Sequence, residues 1–259
     1  MLIGSLSDVR RKPQLRGAFV PFDLGPALLG FWDADRGVTL TGGKVSAWRD
    51  EVAGYTATQA AAAARPIVSE TGLNGRYAVE FDGVGTFLGM ESVPFPVGAA
   101  GSEIWALVRQ DDALTNGGTR VVLGYGGSSN QTARAVRRVS GVVGGVASLL
   151  SGNGTTTAAI SPSGDSFIGH HVVRGVFTSA EYHITQNGTG MRVASAPAAP
   201  GLLTGSVRTR IGASVGAGLG SYWTGGMAVV AVTDLLSDVQ AAAMTKYMLG
   251  RRTPYLPPI

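Results

Sequence analysis

Short apolar runs separated by turn-forming residues recur along most of this chain. Apolar and polar residues alternate over residues 44–50 (KVSAWRD) and 77–81 (YAVEF), which is the pattern of a half-buried β-strand. Residues 103–110 (EIWALVRQ) form a further strand candidate, and Asn187-Gly188 marks a tight turn between strands. About a dozen strands at this short spacing, without an internal repeat, predict a sandwich or barrel and not a parallel α/β fold.

The last predicted strand leads into the single predicted helix. Residues 227–232 (MAVVAV) are apolar and rich in valine, which suits a buried strand. Ser237 is then a good N-cap, with Gln240 three residues later as its capping-box partner. Gly250 can end the helix, with Arg251 near the negative end of the helix dipole. The predicted fold is all-β: an antiparallel β-sandwich with one short C-terminal helix.

The first 26 residues differ from the rest of the chain. They combine a basic cluster with Pro13, Pro21 and Pro26, and they offer little apolar surface to bury. Such a segment is an extended arm that is either a frayed terminus or ordered by a partner. We therefore divide the chain into an arm, residues 1–26, and one domain, residues 27–259. The basic residues that would dock the arm on a larger assembly are Arg10, Arg11, Lys12 and Arg16.

Composition removes several functional classes. The chain has no cysteine, which excludes disulfide bonds, a thiolate nucleophile and thiolate metal ligands. The net charge of +4 is modest, and no nucleic-acid-binding motif accompanies the arginine clusters, so no nucleic acid is expected as a partner. No secretory pattern is present, and no apolar run approaches the roughly 20 residues that span a bilayer. We expect a protein made in a cytoplasm, without signal peptide, transmembrane segment or membrane insertion.

Several motifs towards the two ends of the chain resemble a known family. They are Trp32-Asp33-Ala34-Asp35, residues 43–50 (GKVSAWRD), residues 79–83 (VEFDG), Arg210-Ile211-Gly212 and residues 222–226 (YWTGG). Together they resemble the concanavalin A-like (laminin G-like) lectin/glucanase jelly-roll domain, of the kind found in bacteriophage virion proteins. The resemblance covers about two thirds of the chain and is more specific for fold than for function, because one fold hosts many activities. It implies that the predicted sandwich is a jelly roll.

The resemblance also implies a virion structural protein: a tail fibre, spike or capsid-decorating component of a phage or phage-like particle. Such a protein would reside on the virion, contact other virion proteins through its N-terminal arm and bind cell-surface glycans. Attachment proteins gain from multivalency, so we expect a homo-oligomer, with a trimer as one arrangement. Two alternatives stay open: a stand-alone carbohydrate-binding module or bacterial adhesin, and a diverged glycan hydrolase.

The acidic residues do not follow the pattern of the glucanase branch of this fold. Glycoside hydrolysis needs two carboxylates on either side of the scissile bond. An E-x-D-x-E run on one strand would supply them, but none occurs, and Glu80 and Asp82 are an isolated pair at a turn. We therefore predict no catalytic residues and a protein that is not an enzyme.

Two polar loops supply the candidate carbohydrate-binding residues, since sugar sites combine an aromatic face with amide and carboxylate groups. The candidates are Tyr125, Asn130 and Gln131 in one loop and Asp111, Asp112 and Asn116 in the other. The tryptophans lie within strand patterns and are expected in the core instead. They are Trp32, Trp48, Trp105 and Trp223.

No metal site is predicted from the histidines. His170 and His171 are adjacent and would face opposite ways on a strand, and neither they nor His183 have the spacing of metal ligands. Laminin G-like domains often hold calcium through acidic and carbonyl oxygens, so the resemblance leaves calcium open. Its conceivable ligands are Asp82, Asp111, Asp112 and Asp165, which form no loop motif. We predict no cofactor, with calcium as the open alternative.

Overall fold

The computed structural model describes residues 18–92, 95–96, 100–111, 119–127, 133–139, 146–149, 169–195, 207–215 and 221–252. Within these ranges lie sixteen strands, one α-helix and two 3-10 helices. The strands are β1 (Leu28–Asp33), β2 (Val38–Thr41), β3 (Lys44–Arg49), β4 (Thr56–Thr58), β5 (Ile67–Leu73), β6 (Arg76–Asp82), β7 (Leu88–Met90), β8 (Ser102–Gln110), β9 (Thr119–Gly127), β10 (Ala133–Val139), β11 (Val146–Leu149), β12 (Gly169–Phe177), β13 (Glu181–Gln186), β14 (Thr189–Ser195), β15 (Val207–Ile211) and β16 (Thr224–Thr233). The α-helix is α1 (Asp238–Arg252), and the 3-10 helices are Pro21–Ala27 and Ala62–Ala64. The predicted all-β fold with one C-terminal helix is confirmed.

The strands form two antiparallel sheets that face each other. One sheet, here the covered sheet, has the order β14-β13-β12-β8-β16-β6-β5. Its long strand β16 pairs with β6 along its first half and with β1 along its second half. The other sheet, here the open sheet, has the order β11-β10-β9-β15-β7-β4-β3-β2. Neighbouring strands in both sheets therefore come from distant parts of the chain.

The main core lies between the sheets and is organised around tryptophans. Trp32 Nε1 donates to the carbonyl oxygen of Trp48 at 3.2 Å, and Trp48 Nε1 donates to the carbonyl oxygen of Asp33 at 3.1 Å. Trp223 packs in the same cluster. Trp105 is buried on the other face of the covered sheet. All four tryptophans are fully buried, so their predicted place in the core is confirmed.

Helix α1 covers the outer face of the covered sheet. Met244 and Met248 of the helix pack in a second apolar cluster with Trp105, Ala231 and, from the first 3-10 helix, Leu24. The protein itself therefore occupies the part of this face around Trp105. The outer face of the open sheet instead presents polar side chains, among them Thr56, Thr58 and Arg210.

The two ends of α1 follow the local sequence to different degrees. Ser237 N donates to Gln240 Oε1 at 3.1 Å, and Gln240 N donates to Ser237 Oγ at 3.4 Å, which is the predicted capping box. The predicted end at Gly250 is wrong, because the helix continues to Arg252. Its last turn is held by a tertiary contact of Arg251, which the local sequence does not encode.

Arg251 closes a buried ion-pair network between the last helix and the first strand. Its guanidinium lies 2.5 Å from Asp33 Oδ2 and 2.7 Å from Asp35 Oδ2, and it donates to Tyr247 Oη at 3.0 Å. The Arg251 and Asp33 side chains are only 10% and 3% exposed. Burial opposes the charge, but the carboxylate of Asp33 and its neighbours hold the pKa of Arg251 above its ordinary value. These four residues are the Arg251 clamp.

The structure differs from the predicted boundary of the N-terminal arm. Pro21–Ala27 form a 3-10 helix whose Leu24 is buried, and the ring of Phe22 contacts that of Phe31 edge-on at 5.7 Å. This segment belongs to the domain because it buries apolar side chains there. The predicted docking residues Arg10, Arg11, Lys12 and Arg16 lie outside the described residues. In the part of the chain that is described, no helix has both the length and the apolar character needed to cross a bilayer.

Candidate functional site

The outer face of the open sheet carries a cleft, here called the sheet cleft. Its volume is about 510 Å³. The residues that line it come from β4, from β7 and the segments flanking it, and from β15. They are Tyr55, Thr56, Thr58, Gln59, Phe87, Gly89, Met90, Glu91, Ser92 and Arg210.

Glycines on the neighbouring strands leave space for the side chain of Arg210 in the cleft. Arg210 on β15 pairs with Gly89 on β7 on one side and with Gly124 on β9 on the other. A Cβ atom at Gly89 would collide with the guanidinium of Arg210. The side chain of Arg210 therefore lies across β7 at Gly89, the residue that Thr58 on β4 pairs with.

The Arg210 guanidinium is fixed by two further contacts. It stacks on the ring of Phe87 at 5.2 Å, and its Nη2 lies 2.8 Å from Glu91 Oε1. Arg208 lies two residues away on the same strand and reaches the same carboxylate, with Nε 3.4 Å from Glu91 Oε2. The Arg210 side chain is 11% exposed, whereas that of Glu91 is 65% exposed. The cation is thus held in place, while its counterion faces solvent.

Aromatic and amide groups border this cation. The rings of Phe87 and Tyr222 lie 6.4 Å apart at an angle of 37°, and both side chains are half-buried. Two hydrogen bonds orient the side-chain amide of Gln59. Nε2 donates to the carbonyl oxygen of Phe87 at 3.4 Å, and Oε1 accepts from Ala61 N at 3.1 Å. An aromatic face beside a fixed amide, hydroxyl groups and a guanidinium is the kind of lining that binds polar small molecules such as sugars.

The predicted carbohydrate-binding residue Tyr125 is not on the surface. It is fully buried between the sheets, its ring lies 5.2 Å from that of Phe95, and its hydroxyl bonds Ser102 Oγ at 2.6 Å. Burial raises the pKa of this hydroxyl. Tyr125 occupies an inward position of β9, between two glycines on the outer face, so it is a core residue and the prediction is corrected.

The other predicted glycan-binding residues do not reach the sheet cleft in the described structure. Asp111 is exposed at the end of β8, on the covered sheet, where its carboxylate pairs with Arg109. The remaining candidates, Asp112, Asn116, Asn130 and Gln131, lie outside the described residues. Sequence reasoning missed Phe87, Gln59 and Arg210. The signal that could have found them is the glycine within the strand at residues 86–90 (TFLGM), since such a glycine often marks a close approach of another group.

Two carboxylates meet at Arg109 on the outer side of the covered sheet. Arg109 Nη2 donates to Glu80 Oε2 at 2.9 Å and to Asp111 Oδ2 at 2.8 Å. Burial raises the pKa of Glu80, whereas the hydrogen bond from Arg109 lowers the pKa of Asp111. Carboxyl groups whose pKa values are pushed apart can divide the roles of acid and base. Glu80 and Asp82, the pair of acids noted in the sequence, do not share an arginine in the described structure.

Asp82 is occupied by its own turn. Its Oδ1 accepts from the backbone nitrogens of Val84, Gly85 and Thr86 at 2.9 to 3.0 Å. Partial burial raises the pKa of Asp82, but these hydrogen bonds outweigh it and bring the pKa to about 2. The residue is therefore a turn cap.

The histidines also have local protein partners. His171 Nδ1 lies 2.8 Å from Gln186 Nε2, and His183 Nε2 lies 3.0 Å from Glu181 Oε2. Among the described residues, no three histidine or acidic side chains come together to hold a metal ion. The conceivable calcium ligands Asp112 and Asp165 fall outside those residues.

Comparisons with known proteins show the fold but no family. No protein-family model matches the chain, and no curated protein sequence matches it. Among solved structures, the chain is similar to an arabinofuranosidase complexed with arabinofuranosyl-alpha-1,2-xylobiose, with a TM-score of 0.56 and 14% identity over 92% of this chain and 61% of that chain. It is also similar to the CBM40 of a Ruminococcus gnavus IT-sialidase, with a TM-score of 0.51 and 14% identity over 65% of this chain and 96% of that chain. A third is the enzymatically active domain of tailspike protein 2 of bacteriophage CBA120, with a TM-score of 0.50 and 15% identity over 73% of this chain and 30% of that chain.

These likenesses bear on two predictions: that the protein is not an enzyme, and that its sandwich is a concanavalin A-like jelly roll. The prediction that the protein is not an enzyme is wrong as drawn from the missing E-x-D-x-E run. A chain of similar fold is an arabinofuranosidase, so the missing run removes one arrangement of acids and not glycoside hydrolysis itself. The β-sandwich class implied by the resemblance is confirmed, while its concanavalin A-like jelly-roll type stays a prediction. The chain is a β-sandwich of a kind that also occurs in glycosidases, a carbohydrate-binding module and a phage tailspike.

Proposed function

We propose that this protein is a glycan-binding β-sandwich domain that holds a saccharide in the sheet cleft. The observation that carries the proposal is the fixed guanidinium of Arg210, laid over Gly89 and stacked on Phe87 at the bottom of an open cleft. A group already held in its bound geometry loses little freedom when a ligand arrives, which favours affinity.

The lining suits a saccharide because a sugar has both an apolar face and a dense ring of hydroxyl groups. Phe87 and Tyr55 are the aromatic residues that line the cleft, and Gln59, Thr58 and Arg210 offer hydrogen-bonding groups beside them. The open sheet also presents a larger uncovered surface for a polymer, since α1 covers part of the outer face of the covered sheet.

The setting that we propose is a phage or phage-like particle. The sequence motifs resemble virion jelly rolls, and a phage tailspike domain has a similar fold. In this setting the arm with Arg10, Arg11, Lys12 and Arg16 would dock on the particle, and several copies would bind a cell surface together. A stand-alone carbohydrate-binding module is the alternative setting, supported by the alignment over 96% of a CBM40. Both settings use the same cleft.

Glycan binding can be tested on an array with the full chain. We expect Arg210→Ala and Phe87→Ala each to weaken binding roughly tenfold or more, as truncation of a central anchor does. Matched controls are Arg36→Ala and Phe22→Ala, which remove an exposed arginine and an exposed phenylalanine away from the cleft. Binding that survives both cleft variants unchanged, in proteins that melt like the wild type, would refute the cleft as the site.

The second candidate function is glycan hydrolysis, and the Glu80–Arg109–Asp111 group favours it. Glycoside hydrolysis uses two carboxyl groups near one point, and Glu80 and Asp111 both contact Arg109 Nη2, at 2.9 Å and 2.8 Å. Glu80, whose pKa is raised, would act as the acid, and Asp111, whose pKa is lowered, as the nucleophile.

Release of reducing ends from bacterial surface polysaccharides tests this candidate. Glu80→Gln and Asp111→Asn should each abolish the release, while Asp82→Asn, a neighbouring acid that caps a turn, should retain it. If the wild-type protein releases no reducing ends, or if Glu80→Gln keeps full activity, this assignment fails.

A further inference from the structure

We propose that the sheet cleft selects saccharides that carry a carboxylate, and that this carboxylate takes the place of Glu91 on Arg210. This inference rests on the proposed function and specifies its ligand class. It begins from the charges around the cleft. Among the residues that line it, the charged ones are Arg210 and Glu91, and Arg208 shares the Glu91 carboxylate. Among the described residues, two guanidinium groups thus face one carboxylate, which leaves an excess positive charge there.

The exposure of these side chains indicates which of them can move away from the ion pair. The Arg208 and Arg210 side chains are 25% and 11% exposed, whereas that of Glu91 is 65% exposed. Exposed ion pairs contribute little to stability, because water screens them. Glu91 can therefore turn into solvent at small cost, while the guanidinium of Arg210 remains on Phe87 and keeps its orientation.

The surroundings leave room for an incoming carboxylate. The cross-strand neighbours paired with Arg210 are Gly89 and Gly124, and the one paired with Arg208 is Gly126. No side chain at these positions covers the arginines from the sheet. A planar guanidinium binds a carboxylate through two parallel hydrogen bonds, which gives both direction and affinity. A sugar whose carboxylate is bound there would have its ring near Phe87.

Matched probes separate charge from the rest of the sugar. We would measure binding of an oligogalacturonate against its methyl ester, and of sialyllactose against lactose, by calorimetry with the full chain. Either pair supports the inference if the acid binds at least several-fold more tightly than its neutral partner and if added salt removes the difference. Glu91→Gln should tighten binding of the acid several-fold more than binding of its neutral partner, because the competing carboxylate is gone.

The control is Glu70→Gln, which makes the same charge change at an exposed position on β5 of the covered sheet. Equal tightening by Glu70→Gln would attribute the effect to net charge and overturn the inference. The inference would also be overturned if the acid and its ester bind equally and Arg210→Ala abolishes the binding of both. That result would leave the sheet cleft as a glycan site. Absence of binding to both acids likewise overturns it. Neutral glycans that bind the Arg210→Ala protein as well as the wild type would instead refute the proposed function.

Discussion

The Arg251 clamp makes a strong prediction about stability. The Asp33 side chain is 3% exposed, and without Arg251, as in Arg251→Met, the hydrogen bond left to its carboxylate in the described structure is that from the backbone nitrogen of Asp35 at 3.0 Å. Removing one partner of a buried ion pair costs about 3–5 kcal/mol, because the other charge is left in a poorly solvated place. Single domains have a free energy of unfolding of roughly 5–15 kcal/mol, so the loss is a large part of the total.

The matched control is Arg36→Ala, which breaks the pair with Glu51 at 3.1 Å. The Arg36 side chain is 54% exposed, and such surface pairs are worth about 0–1 kcal/mol. Urea unfolding at pH 7, followed by the fluorescence of the four buried tryptophans, measures both variants. The double variant Asp33→Asn with Arg251→Met should recover part of the loss, since no buried charge remains unpaired. If Arg251→Met lowers the free energy of unfolding no more than Arg36→Ala does, then the Asp33 carboxylate in the clamp is not the desolvated charge that we assign.

Three further outcomes can be measured on single variants. Tyr125→Ala should lower the free energy of unfolding by about 3–5 kcal/mol, as a large core truncation does, and Tyr125→Phe by much less; a stable Tyr125→Ala protein would contradict its place in the core. Asp82→Asn should flatten the pH dependence of stability, because the lowered pKa of Asp82 adds stability above its unfolded value of about 3.9 that is lost as the pH falls towards about 2; acid unfolding curves that match the wild type would disprove this. Gly89→Ala should displace Arg210 and weaken glycan binding with little change in melting temperature, whereas Gly85→Ala, where nothing lies within 4 Å of the new Cβ, should do neither.

The sequence predicts the local features of this fold well. Alternation places Val79 and Phe81 inward on β6, and Ser237 with Gln240 predicts the start of α1. Both signals act over a few residues, so they can be read without knowing the pairing of strands. The end of α1 cannot be read in this way, because the partner of Arg251 is Asp33, 218 positions earlier.

The candidate site is harder to predict for the same physical reason. Thr58, Gly89 and Arg210 become neighbours only when β4, β7 and β15 pair, and no local pattern fixes that order. The glycines beside Tyr125 made its segment resemble a loop in the sequence. In the sheet those glycines lie on the outer face of β9, and the tyrosine between them points into the core.

The pairing of β1 with β16 bears on how this chain folds during synthesis. Leu28 lies opposite Thr233, so β1 cannot pair with β16 until β16 has been synthesised. Contacts between residues so distant in the chain fold slowly, because a long loop must close before they form. Nascent β1 therefore carries Phe31 and Trp32 without its sheet partner for most of translation, and we expect the covered sheet to assemble after synthesis of β16 and not from the N-terminus onwards.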